Sequence, residues 1–109
     1  MTEDASWGKM QPTWGSSSDV AELNRLFDAM QEFCARNDIP AFIGEFGVTD
    51  KKETPSRVRW MSAVAQAALA RKVVPILWDI GGDISRRPPY APSAALRAAL
   101  PAFLTPAAP

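Results

Sequence analysis

Apolar residues along the chain fall into blocks with two different periods. Val20, Leu23, Leu26/Phe27, Met30 and Phe33/Cys34 recur at helical spacing, with Glu22, Arg25, Asp28, Glu32 and Arg36 on the opposite face. The spacing predicts an amphipathic helix over 19–36, N-capped by Asp19 with Glu22 completing a capping box. Ile39 to Gly47 is then a short continuous apolar run closed by glycines, the pattern of a strand buried on both faces in a parallel sheet. Thr54 is placed to cap a second helix with Pro55 at its first position, and Val58, Met61, Val64/Ala65 and Ala68/Leu69 form its buried stripe up to Arg71. Lys72 to Asp79 is a second buried-strand run, in which Pro75 conflicts with a complete hydrogen-bond ladder. Ser93 caps a last helix carrying Leu96 and Leu100, kinked or ended by Pro101.

The predicted order is helix, strand, helix, strand, helix. Ile43 and Ile76 are separated by the length of one βαβ unit, and the right-handed crossover makes the two strands parallel neighbours. Two parallel strands leave unpaired edges that three helices do not cover. The pattern is therefore that of a slice of a larger α/β structure. Residues 1–18 have loop composition, with Trp7 and Trp14, and the Pro/Ala-rich tail 105–109 is expected to fray.

Composition removes several kinds of chemistry. Lys and Arg number 12 against 12 Asp and Glu, so there is no basic excess to drive non-specific binding to nucleic acid or an anionic membrane. With no His, a Ser-His-Asp or Cys-His site cannot be built within this chain, and His-containing zinc sites fail with them. The single cysteine, Cys34, cannot form an internal disulfide; it falls on the apolar stripe of the first helix and reads as core. No metal or cofactor is expected. The acidic start, Met1-Thr2-Glu3-Asp4, has no signal-peptide pattern, and no apolar stretch of about 18 residues would span a membrane.

Two residues carry the candidate chemistry. Glu45 directly follows an apolar strand, between Gly44 and Gly47, at the end where parallel α/β enzymes place catalytic groups. Trp78-Asp79 holds the equivalent position on the next strand. A carboxylate beside an indole suits a sugar, whose C–H face stacks on the ring. From position alone, Glu45 reads equally as a surface carboxylate and Trp78 equally as core filler. Asp79 either touches sugar or caps its loop. Trp7 and Trp14 either line a cleft or pack outside it, and Arg86 reads as a structural ion-pair partner.

Ile39-Pro40-Ala41-Phe42-Ile43-Gly44-Glu45-Phe46-Gly47 resembles the seventh-strand motif of family 5 glycoside hydrolases, the cellulase family. There an apolar strand ends in Gly-Glu-Phe-Gly and its Glu is the nucleophile. Val74-Pro75-Ile76-Leu77-Trp78-Asp79 looks like the family's eighth strand, whose Trp lines the sugar site and in which a Pro before that Trp is common. Ile84-Ser85-Arg86, Tyr90 and the helix ending at Leu100 look like its closing loop and last helix. Thr2-Glu3-Asp4-Ala5-Ser6-Trp7 is similar, more weakly, to the loop after the sixth strand. Ile80 departs from the polar Asn that many members carry after Trp-Asp.

The resemblance implies the last two β/α units of a (β/α)8 TIM barrel plus the preceding helix: 1–18 the loop after the sixth strand, 19–104 the C-terminal part of the barrel, 105–109 a tail. It implies retaining hydrolysis of β-linked oligo- or polysaccharides, with Glu45 as nucleophile and Trp78, Trp7 and Asp79 binding substrate. The family's acid/base belongs to an Asn-Glu pair, which does not occur here, because Asn24 and Asn37 precede Arg25 and Asp38. The chain alone is therefore expected to be inactive. The missing N-terminal barrel portion or self-association would cover the sheet edge, and secretion or periplasmic export is implied for the whole enzyme. The alternative is a non-catalytic glycan-binding or self-associating quarter-barrel.

Overall fold

A computed structural model describes residues 12–104; Trp7, most of the 1–18 loop and the 105–109 tail lie outside the described residues. The elements follow the expected order: α1 (Ser17–Asn37), β1 (Phe42–Phe46), α2 (Thr54–Ala70), β2 (Val74–Leu77) and α3 (Ala94–Leu104). The two strands pair in parallel, as a right-handed βαβ unit requires. No helix among the described residues is long and apolar enough to cross a membrane.

Three helix ends refine the sequence reading. The N-cap of α1 is Ser16, not Asp19: its hydroxyl accepts from Asp19 N–H at 3.1 Å, and the Asp19 carboxylate accepts from Ser16 N–H at 2.9 Å. Asp19 is thus the last residue of the capping box, at N3, rather than its first, and α1 starts earlier. Thr54 is the first residue of α2 rather than its cap, and the cap residue Glu53 makes no side-chain capping bond. Ser93 caps α3 as expected, accepting from Leu96 N–H at 3.0 Å, and the helix continues through Pro101 to Leu104.

α2 is the central helix and packs against both α1 and α3. One core joins Phe27 of α1, Phe46 of β1, Val64, Ala67 and Ala68 of α2, and Val73. A second joins Met61 of α2 to Ala95, Leu96 and Ala99 of α3. Trp60, Leu77 and Phe103 touch both, and Phe46 meets the Trp60 and Phe103 rings at centroid distances of 5.7 and 5.9 Å.

Burial of the strands on both faces does not hold. Phe42, Val74 and Ile76 are 66%, 58% and 46% exposed, while Ile43 and Leu77 face the helices. The apolar runs are real, but among the described residues only one sheet face has a helix layer on it. On α1 the expected stripe is likewise only partly covered. Phe27 is buried, Leu23, Met30 and Cys34 are half-buried, and Leu26 and Phe33 are exposed, because α2 alone is too narrow to cover it.

Pro75 fits without a lost bond between the two strands. Val74 N–H reaches Ala41 O at 3.5 Å and Trp78 N–H reaches Phe46 O at 2.8 Å, so the even-numbered residues of β2 donate towards β1. Pro75 stands between them with its nitrogen on the outer, unpaired edge, where a missing N–H costs no ladder bond.

Candidate functional site

The site forms where β1 and β2 end. Phe42 pairs with Val74 and Ile43 with Pro75, but Phe46 pairs with Leu77, so β1 carries one extra residue between Ile43 and Phe46. This irregularity changes which residues share a face. Ile43 and Phe46, three apart, both reach the helix-side core, whereas strict alternation would separate them. Glu45, immediately before buried Phe46, falls on the exposed side of the sheet.

Close approach of the two strand ends depends on Gly47. A Cβ there would lie 2.8 Å from the Trp78 carbonyl oxygen, a backbone atom that cannot move aside, and 3.8 Å from the indole. With glycine in place, Glu45 and Trp78 line the same open cleft, of about 510 Å³, together with Asp79, Arg57 and Asp83. Trp78 leaves half of its surface exposed. Among the described residues, no hydrogen-bond or ion-pair partner holds the Glu45 carboxylate.

Asp79 is committed to its own loop. Oδ1 accepts from Gly82 and Asp83 N–H, and Oδ2 from Gly81 and Ile84 N–H, all between 2.8 and 3.0 Å. A carboxylate offers about four lone-pair sites, so this one is filled by backbone. Burial raises its pKa, but the four N–H bonds together outweigh it and hold the carboxyl below its usual value. Asp79 shapes the cleft wall and keeps the segment after Trp78 in place.

A buried ion pair braces the same loop. Arg57 Nη2 lies 2.6 Å from Asp83 Oδ1, with both side chains about nine-tenths buried. Ser93 Oγ donates to the same oxygen at 2.6 Å, and Ser93 N–H donates to Asp83 O. Arg57 thereby ties α2, the cleft loop and the start of α3 together, while its Nε has no partner among the described residues. The expected ion pair of Arg86 does not form among the described residues; its side chain packs over Gly81 instead. Sequence reasoning missed the Arg57–Asp83 pair. The partners are 26 residues apart, and the only signal was a charged residue on the apolar side of α2.

The structure therefore brings together Glu45, Trp78 and Asp79 of the sequence-predicted residues. Trp14 is elsewhere: its backbone is held by Ser56 and Arg59 at the start of α2, and it lines a separate groove with Leu23, Leu26 and Trp60. No cluster of metal-ligating side chains exists among the described residues.

This chain is similar to known glycanases over most of its length. It is 37% identical to Endoglucanase H of Acetivibrio thermocellus over 73 residues, 67% of this chain and 8% of that protein. It is 39% identical to Endoglucanase B of Clostridium cellulovorans over 69 residues, 63% of this chain and 16% of that protein. Its fold matches Cel5A of Thermotoga maritima, solved in complex with mannotriose, with a TM-score of 0.65 and 25% identity, covering 92% of this chain and 34% of that one. The chain spans about a third or less of each of these relatives. The model of the cellulase family, glycosyl hydrolase family 5, matches residues 5–83, and the chain belongs to that family.

Proposed function

We propose that this chain is the nucleophile-bearing part of a retaining β-glycanase of the endoglucanase type, corresponding to the last two β/α units of its barrel. The observation that carries this reading is the placement of Glu45 beside Trp78 at the C-terminal ends of two parallel strands, facing an open cleft.

In this reading a β-linked glycan lies in the cleft with one pyranose ring stacked on the Trp78 indole. The Glu45 carboxylate attacks the anomeric carbon and forms a glycosyl ester as the glycosidic C–O bond breaks. The departing oxygen takes a proton from a second carboxyl group about 5–5.5 Å across the site. Water then attacks the same anomeric carbon and gives its proton to that second carboxylate, and the bond from that carbon to Glu45 breaks. The configuration is retained. Asp79, Arg57 and Asp83 position Trp78 through the loop they hold. The second carboxyl group of the family lies in an Asn-Glu pair that this sequence does not contain. The chain by itself therefore does not turn over. The substrates to try follow from relatives named as endoglucanases and from a Cel5A bound to mannotriose: β-glucans and manno-oligosaccharides.

The test is a chimera in which residues 12–104 replace the matching segment of Endoglucanase B. The chimera hydrolyses β-glucan, and Glu45→Ala lowers turnover on the order of 10⁴-fold or more. Azide restores turnover of an activated glycoside by that variant, giving the inverted glycosyl azide. Full activity in Glu45→Ala would overturn the proposal.

A further inference from the structure

The two walls of the cleft differ in chemistry. The wall carried by β1 and the turn after it is polar, with the Glu45 carboxylate, the Thr49 hydroxyl and the Asp50 carboxylate. The wall carried by β2 and the loop after it has most of its polar groups occupied. The Asp79 carboxylate is filled by the N–H groups of Gly81, Gly82, Asp83 and Ile84, which are spent in the same four bonds. Trp78 N–H is bonded to Phe46 O, and Arg57 and Asp83 are buried against each other. The large surfaces this wall leaves open are the Trp78 indole and the Ile80 side chain, 52% and 67% exposed.

Ile80 does not stand on a loose loop. It lies between Asp79 and Gly81, inside the cage that the Asp79 carboxylate makes with the backbone. Gly81 takes a φ of 106° there, and the Arg86 stem packs over it, so that a Cβ on Gly81 would lie 3.2 Å from Arg86 Nε. The backbone on both sides of Ile80 is therefore held, and a large apolar side chain is kept in the cleft at a cost in hydration. A fixed apolar group next to an open indole is the composition of a pocket for an apolar ligand group.

A pyranose ring stacked on Trp78 lays its C–H face on the indole and sends its substituents outward from the ring edge. A free hydroxyl set over Ile80 gives up water and gains no partner from that side chain, which is unfavourable. An O-acyl group at the same place changes both terms. The ester has no O–H to satisfy, and its alkyl carbon takes apolar surface of Ile80 out of water. We propose that Ile80 is a specificity-determining residue, and that the β2 wall selects β-linked glycans with an O-acyl substituent, acetyl being the smallest, on the ring stacked against Trp78. The polar β1 wall remains for the free hydroxyls. The proposal rests on the glycan reading of the cleft given above. It does not depend on Glu45 acting as the nucleophile.

The experiment titrates the 109-residue chain with an O-acetylated manno-oligosaccharide and with the same oligomer after alkaline deacetylation. Binding is read by saturation-transfer NMR and by the methyl resonances of isotope-labelled isoleucine. The acetylated oligomer is expected to bind about threefold or more tighter, with saturation reaching its acetyl methyl and the Ile80 methyls shifting. Ile80→Asn, close in size, removes the preference while both oligomers still bind. Ile84→Asn makes the same change at an exposed residue of the same loop that does not line the cleft, and leaves the preference intact. Glu45→Gln keeps the preference too, which separates it from the catalytic assignment. Equal affinity of the unaltered chain for the two oligomers, or a preference that survives Ile80→Asn, would overturn the proposal and leave the glycan reading of the cleft standing. Binding of neither oligomer at millimolar concentration would overturn both.

Discussion

The two faces of the β1–β2 sheet are built from the same residue types and meet opposite fates. On the helix side, Phe46, Val64, Ala68 and Met61 are buried, and the aromatic rings of Phe46, Trp60 and Phe103 lock together. On the inner side, Phe42, Val74 and Ile76 are just as apolar and stand in the open. The difference teaches that the chain's stability comes from α2 and its neighbours, whereas the chemistry proposed for it sits on the rim at the open side of the sheet. A core with one finished side and one open side is what a segment of a barrel presents.

The comparison can be broken most severely at the brace beneath the rim. Arg57→Met leaves Asp83 buried without its counter-charge, and the expected loss is about 3–5 kcal/mol in denaturant unfolding. Replacing both partners with apolar residues of similar volume should recover much of it. A loss no larger than that of a surface substitution would mean that the pair is solvated in solution.

The two faces can then be compared directly. Met61→Ala empties a fully buried site on the helix side, and a loss of about 2–5 kcal/mol is expected. Ile76→Thr on the inner face should change the isolated chain by less than about 0.5 kcal/mol. Equal costs at the two positions would show that the inner face is covered in solution.

The smallest effect is expected at Asp79. Its folded-state pKa lies below its unfolded value, so its stabilisation is present above the unfolded pKa and is lost as pH falls through the folded one. Amide protection at Gly81, Gly82, Asp83 and Ile84 should therefore decline as pH falls below about 4. Asp79→Asn should lower protection at neutral pH by about 1 kcal/mol and remove the acid dependence. Protection that is flat with pH in the wild-type chain would contradict the assignment.

Much of this was legible in the chain. The helical stripe of α2, the two apolar runs and the Ser93 cap gave the βαβ order, because period and punctuation are local properties. Glu45 and Trp78 could be set on one rim because both follow apolar runs of a parallel pair. What escaped the sequence depends on contacts between distant residues. The extra residue in β1, the filling of the Asp79 carboxylate by four N–H groups and the Arg57–Asp83 pair leave no periodic trace. The α1 cap was misplaced by a few residues, because Ser16 and Asp19 both fit a capping pattern. An apolar strand reads the same in a complete barrel as in one part of it, so the exposure of Phe42, Val74 and Ile76 was not legible either.

The most direct test of the central claim is covalent labelling of the nucleophile in the completed barrel. The Endoglucanase B chimera carrying residues 12–104 is treated with an activated 2-deoxy-2-fluoro-cellobioside and digested for mass spectrometry. The account predicts one adduct, on the peptide containing Gly44-Glu45-Phe46-Gly47, absent in Glu45→Gln. An adduct on another carboxylate, or undiminished turnover with no adduct on Glu45, would contradict it.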